Sequence, residues 1–287
     1  MTHQGAVVIT GASTGIGRAT ALFLDRNGFQ VFAGVRRDVD AESLRKEASE
    51  NLHPIQLDVV DGRSIEASRK KVEEALGDGG LAGLVNNAGI SVGGPYEFLD
   101  LDELRRGLEV NFVGPVAVTQ AFLPLLRKRR GRIVNVSSIG GRLAVPVLGP
   151  YNASKYALEA FSDSLRIELS PWGMHVSVIE PGAIATPLFE KGQAHADSMV
   201  AQIPKEGIEL YGEAIEAVRG AFGGMEKGAI PPERVAKQIH HALTARRPRV
   251  RYVVGPDAKV QSLLIRILPT RLRDEMLKRM LKYPRSA

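Results

Sequence analysis

The chain has 287 residues, 44% of them hydrophobic and 6% aromatic, with no cysteine and a net charge of +6. Without cysteine there are no structural disulfides, no thiolate metal sites and no thiol catalysis. Arg246–Ala287 carries 12 Lys/Arg against 3 Asp/Glu and the rest of the chain 26 against 29, so a mildly acidic body precedes a basic tail.

The N-terminus, MTHQGAVVITGAS, has no basic segment leading into a long apolar run, so no signal peptide is expected. No window reaches roughly 18 uninterrupted apolar residues, so no transmembrane helix is expected and a cytoplasmic location is the default. Ala6–Thr10 is a β-branched run that ends in a glycine loop. Arg18–Asn27 follows as a helix stopped by Gly28, and Gln30–Val35 is a second strand. Ala41–Asn51 and Ser64–Leu76 read as charged helices around a third strand at His53–Leu57. Leu81–Val85 is the fourth strand. A long helix over about Leu101–Val118 should be bent or divided by Pro115, and a separate element is expected over Thr119–Lys128. Arg132–Val136 is the fifth strand, Pro150–Ser170 a long helix, and His175–Ile179 the sixth strand. From Leu188 to Gly228 the signals are helical and irregular, with no strand. A helix at Pro232–Ala245 and a strand at Arg251–Val254 follow.

Near-continuous apolar strands alternating with helices specify an α/β fold with a doubly wound parallel sheet. The expected architecture is a Rossmann-type three-layer sandwich, a single domain with a C-terminal amphipathic helical tail. The catalytic domain is drawn at 1–256, with a substrate lid over about 187–230, and the tail at 257–287.

Four motifs carry chemistry. Thr10-Gly11-Ala12-Ser13-Thr14-Gly15-Ile16-Gly17 lies between a strand and a helix. Its glycines allow a tight turn and close backbone approach to a pyrophosphate, which the helix N-terminus attracts. At the end of the second strand, an acidic residue would bind a ribose 2′-hydroxyl and an arginine would accommodate a 2′-phosphate. Val35 occupies the acidic slot and Arg36 and Arg37 follow, which favours NADP(H); Asp38 and Asp40 nearby keep NAD(H) open. Asn86-Asn87-Ala88-Gly89 closes the fourth strand, where open α/β sheets bind ligands. Tyr151 and Lys155, spaced i, i+4, share a helix face, and Ser138 ends the fifth strand. An ammonium near the phenol should pull its pKa down from about 10 and allow proton exchange near neutrality.

These motifs in this order resemble the short-chain dehydrogenase/reductase family, over about Ala6–Pro187 and more weakly to Val254, and in particular its hydroxysteroid and retinol dehydrogenase-like members. The resemblance implies hydride transfer between a nicotinamide and a carbonyl carbon. It casts Tyr151 as the general acid/base and Lys155 as the group that tunes it and holds the ribose. Ser138 would polarise the carbonyl, and Asn111 would place a water in a proton relay. Asp58, with Val59 beside it, would contact the adenine, and Asn87, Ala88 and Gly89 would lie along the cofactor. Pro181, Gly182 and Ile184 would also bind the cofactor, and Thr186 would contact the nicotinamide carboxamide or the pyrophosphate. The resemblance also implies a homodimer or homotetramer.

The six histidines show no ligand spacing; His240 and His241 are adjacent on a helix and point apart, so no metal is expected. Leu188, Phe189, Met199, Ile203, Leu210, Tyr211, Phe222 and Met225 after Thr186, with Leu143, Val145, Val147 and Leu148 before Tyr151, could wall a site for a lipophilic substrate or pack on the sheet. In the tail, Val260, Leu263, Leu264, Ile267 and Leu268 form one apolar face, and Leu272, Met276, Leu277, Met280 and Leu281 a second, among basic residues. Such a tail could pack on its own protein, cap the substrate cleft, join subunits, or rest peripherally on an anionic membrane. Nucleic acid is not expected, because the basic tail lacks interleaved aromatics and any reading motif. The leading reading is an NADP(H)-dependent oxidoreductase for a small lipophilic carbonyl or alcohol, such as a hydroxysteroid or retinoid. The alternatives are an NAD(H)-dependent dehydrogenase and a cofactor-binding regulator without turnover.

Overall fold

Seven parallel strands form one sheet in the order β3-β2-β1-β4-β5-β6-β7 in a computed structural model of the chain, which describes residues 4–187, 197 and 199–284. The strands are β1 (Ala6–Ile9), β2 (Gln30–Val35), β3 (Leu52–Gln56), β4 (Leu81–Asn86), β5 (Arg132–Val136), β6 (His175–Pro181) and β7 (Arg251–Val254). Strand alternation splits the core in two. Val7, Ile9, Val31, Ala33 and Val35 face α1 (Gly15–Arg26), α2 (Asp38–Arg45) and a later helix, α8 (Glu233–Thr244). Ala6, Val8 and Phe32 face α3 (Gly62–Leu76), α5 (Gly114–Arg129) and α6 (Gly149–Glu168). Both faces of the sheet are covered, as buried apolar strands require. The order reverses between β1 and β4, so the loops after their carboxyl ends open a crevice.

Local chemistry sets the helix ends. Asp61 accepts from the Arg63 amide at 2.9 Å and starts α3, and Asp100 accepts from the Asp102 amide at 2.9 Å and starts α4 (Leu101–Leu108). Gly28, at φ 80°, follows α1 in the left-handed conformation that ends a helix.

The division expected at Pro115 is present, in a different form. Glu109–Val113 is a π-helical turn between α4 and α5, and Pro115 sits in the first turn of α5. Proline has no N–H for the carbonyl four residues back, so the Asn111 carbonyl loses its ordinary donor and the wider turn is favoured there. The separate element expected at Thr119–Lys128 is simply the rest of α5. The joined stretch Leu101–Arg129 is long and apolar enough, by length and composition, to cross a membrane, contrary to expectation. One side of it joins the core: Val118, Phe122, Leu125 and Leu126 are buried, and α5 packs on β4 and α3.

After β6, α7 (Lys205–Lys227) and α8 precede β7. The tail forms α9 (Pro256–Ile267) and α10 (Thr270–Leu281). Within it, α10 packs on α7, and the Asp257 carboxylate in the first turn of α9 accepts from the Ala183 amide at 2.8 Å. Of the expected lid, Leu188 and Phe189 and the side chains of Phe222 and Met225 lie outside what the structure describes.

Candidate active site

The β1–α1 loop and the end of β4 are clipped together. Thr10 Oγ1 accepts from the amides of Asn87 (2.9 Å) and Ala88 (3.0 Å), and Asn87 Nδ2 donates to the carbonyls of Thr10 (2.9 Å) and Gly11 (3.0 Å). The two glycines that matter most are Gly11, at φ 65°, and Gly17, where a Cβ would stand 2.2 Å from the Gly11 carbonyl oxygen. The α1 N-terminus has no side-chain cap from Thr14, so its first amides face the crevice unclaimed by a capping side chain. Gly17→Ala is expected to weaken dinucleotide binding about tenfold or more, because the backbone carbonyl cannot yield as a side chain would; fluorescence titration with NADPH measures it.

The crevice is a cavity of about 430 Å³. Gly11, Ser13, Thr14, Gly15, Ile16, Arg36, Asp58, Val59, Asn87, Ala88 and Gly89 line it, with Ser138, Tyr151, Lys155, Pro181, Gly182, Ile184 and Thr186. An uncapped helix N-terminus, a glycine cradle and a neighbouring arginine fit a phosphorylated dinucleotide.

Four residues expected at the site are not on this wall. Thr10 and Gly17 act behind it, as just described. Arg37 turns to Asp40, with Nε and Nη2 each 2.8 Å from a carboxylate oxygen, so its guanidinium is already paired. Asn111 lies in the π turn; its Oδ1 accepts from the Ile90 amide (2.8 Å), and its Nδ2 donates to the Ile90 carbonyl (2.9 Å) and Ser154 Oγ (2.9 Å). Its side chain fastens the end of the β4 loop to α6 instead of facing the cavity. Conversely, Arg106 of α4 lines the cavity although sequence reasoning passed over it. Its i, i+3 pairing with Glu103, at 2.6 Å, is what an ordinary surface helix shows, so the pattern held no signal.

Ser138 follows β5 in extended backbone, and its Oγ accepts from the Gly140 amide at 3.0 Å. Tyr151 and Lys155 occupy successive turns of α6. The Lys155 ammonium donates to the Val136 carbonyl at 3.0 Å and lies 5.8 Å from the centre of the Tyr151 ring. Burial lowers Lys155 to about 8. Burial also raises the Tyr151 phenol above its ordinary value, and the Ser138 hydroxyl only partly opposes this. The direction is opposite to the expected lowering: desolvation of the phenolate outweighs the Ser138 hydrogen bond, and the Lys155 ammonium is turned to a backbone carbonyl. The phenol stands protonated at neutral pH.

A second cavity, of about 770 Å³, adjoins the first. Ser91, Ser138, Tyr151 and Gly182 belong to both walls. The remainder is largely apolar: Leu143, Val145, Val147 and Leu148 from the loop before α6, Met199 and Ile203 before α7, and Val260, Leu264, Met276, Leu277, Met280 and Leu281 from the tail. Of the readings open for the tail, the structure therefore shows packing on its own protein over the cleft.

At the inner side of α6, partly exposed charges surround two buried carboxylates, Glu159 and Glu180. Arg251 Nη2 is 3.1 Å from Glu159 and 2.7 Å from Asp163, and its Nε is 3.0 Å from Glu180. Arg142 is 3.6 Å from the other Glu180 oxygen. Desolvation, with Glu180 adding repulsion, raises Glu159 to about 7.

Comparison with known proteins agrees with this geometry. The family model for short chain dehydrogenase matches residues 5–197. The chain is 42% identical to retinol dehydrogenase 5 of Mus musculus over 284 residues, covering 97% of this chain and 89% of that protein. It is 38% identical to dehydrogenase/reductase SDR family member 9 of Bos taurus, covering 94% of this chain and 86% of that protein. Among solved structures, a short-chain dehydrogenase from Streptomyces avermitilis superposes with a TM-score of 0.76 at 30% identity, covering 97% of both chains.

Proposed function

Since the chain belongs to the short-chain dehydrogenase family, we propose that it interconverts a lipophilic alcohol and its carbonyl compound with NADP(H) as hydride carrier. The observation that carries this reading is the shared wall: the Tyr151 phenol and the Ser138 hydroxyl stand where the polar cavity meets the apolar one. The nicotinamide, when bound, supplies or accepts the hydride. The protein's own groups do the rest. Ser138 donates a hydrogen bond to the substrate oxygen and orients it. In the reductive direction Tyr151 gives its proton to that oxygen, and in the oxidative direction it takes the proton back. Lys155, charged below its value of about 8, stabilises the phenolate left behind. The apolar wall excludes water and holds the hydrocarbon body of the substrate.

Two observations support NADP(H). Arg36 faces the cavity, whereas the nearby acids are engaged elsewhere: Asp38 accepts from Gln56 Nε2 at 2.5 Å, and Asp40 pairs with Arg37. Neither acid is on the wall to bind a 2′-hydroxyl. Arg36→Ala is expected to raise the KM for NADPH about tenfold to a hundredfold and to leave that for NADH nearly unchanged, at about 1.5–3 kcal/mol for a charge-assisted bond. The size of the apolar cavity and the likeness to retinol dehydrogenases support a retinoid or steroid-like substrate. The test is cofactor consumption with retinal, steroid ketones and small ketones, each with NADPH and NADH. Turnover of a lipophilic carbonyl with NADPH is expected, and turnover with NADH alone would overturn the cofactor assignment.

A further inference from the structure

Glu159 is a buried acid that lines neither cavity. It stands one turn after Lys155 on α6, and Lys155 is buried too. The two side chains reach neighbouring residues at the end of β5. The Lys155 ammonium donates to the Val136 carbonyl at 3.0 Å. Glu159 packs beside Ser137: a Cβ on Gly141 would stand 2.7 Å from Ser137 Oγ and 3.1 Å from Glu159 Cγ, so both converge under the turn Ile139–Gly141 that follows Ser138. A carboxylate thus lies one helical turn from the ammonium, in an interior where opposite charges act strongly on each other. Desolvation drives Lys155 down to about 8, and Glu159 is the charged neighbour that opposes the fall.

Glu159 is itself held by other elements. Facing it, besides Lys155 of α6, are Glu180 of β6 and Arg251 of β7, whose Nη2 is 3.1 Å away. Arg251 also meets Glu180 at 3.0 Å and Asp163 at 2.7 Å. Arg142, after β5, is 3.6 Å from Glu180, and Arg166 is 3.2 Å from Asp163. Arg251 is shared among three carboxylates, so it fixes Glu159 in place without neutralising it alone.

We propose that Glu159 is a positioning residue for the reaction: held by Arg251, its ionised carboxylate keeps the Lys155 ammonium charged beside the Tyr151 phenol. The effect on rate rests on the function proposed above; the effect on the Lys155 amine does not. Glu159 keeps its proton up to about pH 7, so its support is absent below that value. It is present above it, where Lys155 comes to lose its own proton.

The test is Glu159→Gln, which has the shape of the protonated acid. Since the native acid is itself protonated at pH 6, the variant should fold there. Two readouts are taken on the full chain: the pH profile of carbonyl reduction with NADPH, and the titration of Lys155 by ¹³C NMR of lysine-labelled protein, the signal being assigned by its loss in Lys155→Arg. At pH 6 the variant and the wild type should run at equal rates. The declining limb should move down by about one pH unit, for a rate about fivefold lower at pH 8, and the amine midpoint should fall by the same step. Glu180→Gln disturbs the same cluster and should leave the limb in place. A rate lowered equally at pH 6 and pH 8, or an amine midpoint that does not move, would overturn the proposal, since Glu159 would then support only the fold. A midpoint that falls in a chain that reduces no carbonyl would uphold the assignment of Glu159 and overturn the proposed reaction.

Discussion

Tyr151→Phe is expected to cut turnover by about 10³-fold while cofactor affinity stays within a few-fold. The substitution removes one oxygen and leaves the ring, which stands on the wall of both cavities. Lys155 keeps its bond to the Val136 carbonyl, so the cofactor side is undisturbed. Steady-state rates and fluorescence titration of NADPH together check both halves of the statement. A pH profile adds a second check on the wild type. The phenol is held above its ordinary value and stays a donor at neutral pH, while Lys155 loses its charge through about pH 8. The reductive rate should therefore hold a plateau below that value and decline above it. A rate that instead rose through pH 8 would show that the ammonium is not needed to stabilise the phenolate.

Arg251→Met is expected to destabilise the native state by about 3–5 kcal/mol at neutral pH. It leaves Glu159 and Glu180, 6% and 0% exposed, facing each other, with Arg142 3.6 Å from Glu180. The loss should shrink in acid, and the sign follows from proton binding. Glu159 is raised from the ordinary carboxylate value to about 7 in the folded state, so between about pH 4.5 and pH 7 the native state holds more protons than the unfolded one. Its contribution is fully present below that window and is lost as pH rises through it. Removing Arg251 takes away an opposing cation and deepens the effect. Urea midpoints at pH 5 and pH 7.5 should therefore diverge more for the variant than for the wild type.

Much of the fold was legible because the strands are rich in apolar residues and several are closed by turn residues, as in Ala6–Ile9 before Thr10-Gly11. The cofactor loop and the Tyr151–Lys155 pair were legible for a related reason: glycine spacing and helical spacing are local rules. What escaped depends on contacts between distant segments. Arg37 could not be separated from Arg36 by residue type; its bond to Asp40 decides. For Asn111 the motif gave a site position but not its side-chain partners, Ile90 and Ser154, which lie 21 and 43 residues away. The direction of the Tyr151 shift depends on how deeply the phenol is buried and where the Lys155 ammonium turns, and spacing reports neither. The tail showed its amphipathic faces plainly, but a stripe does not say which neighbour will cover it.

The path of the chain through the two cavities has a consequence for change over generations. The dinucleotide cavity is walled by residues between Gly11 and Thr186, whereas the other cavity runs on to Leu281. The last two helices are the ones a recombination event near Gly255 would exchange, leaving the hydride chemistry intact. Replacing residues 256–284 with the corresponding stretch of a relative should transfer the choice of hydrocarbon body and leave the choice of nucleotide where it was.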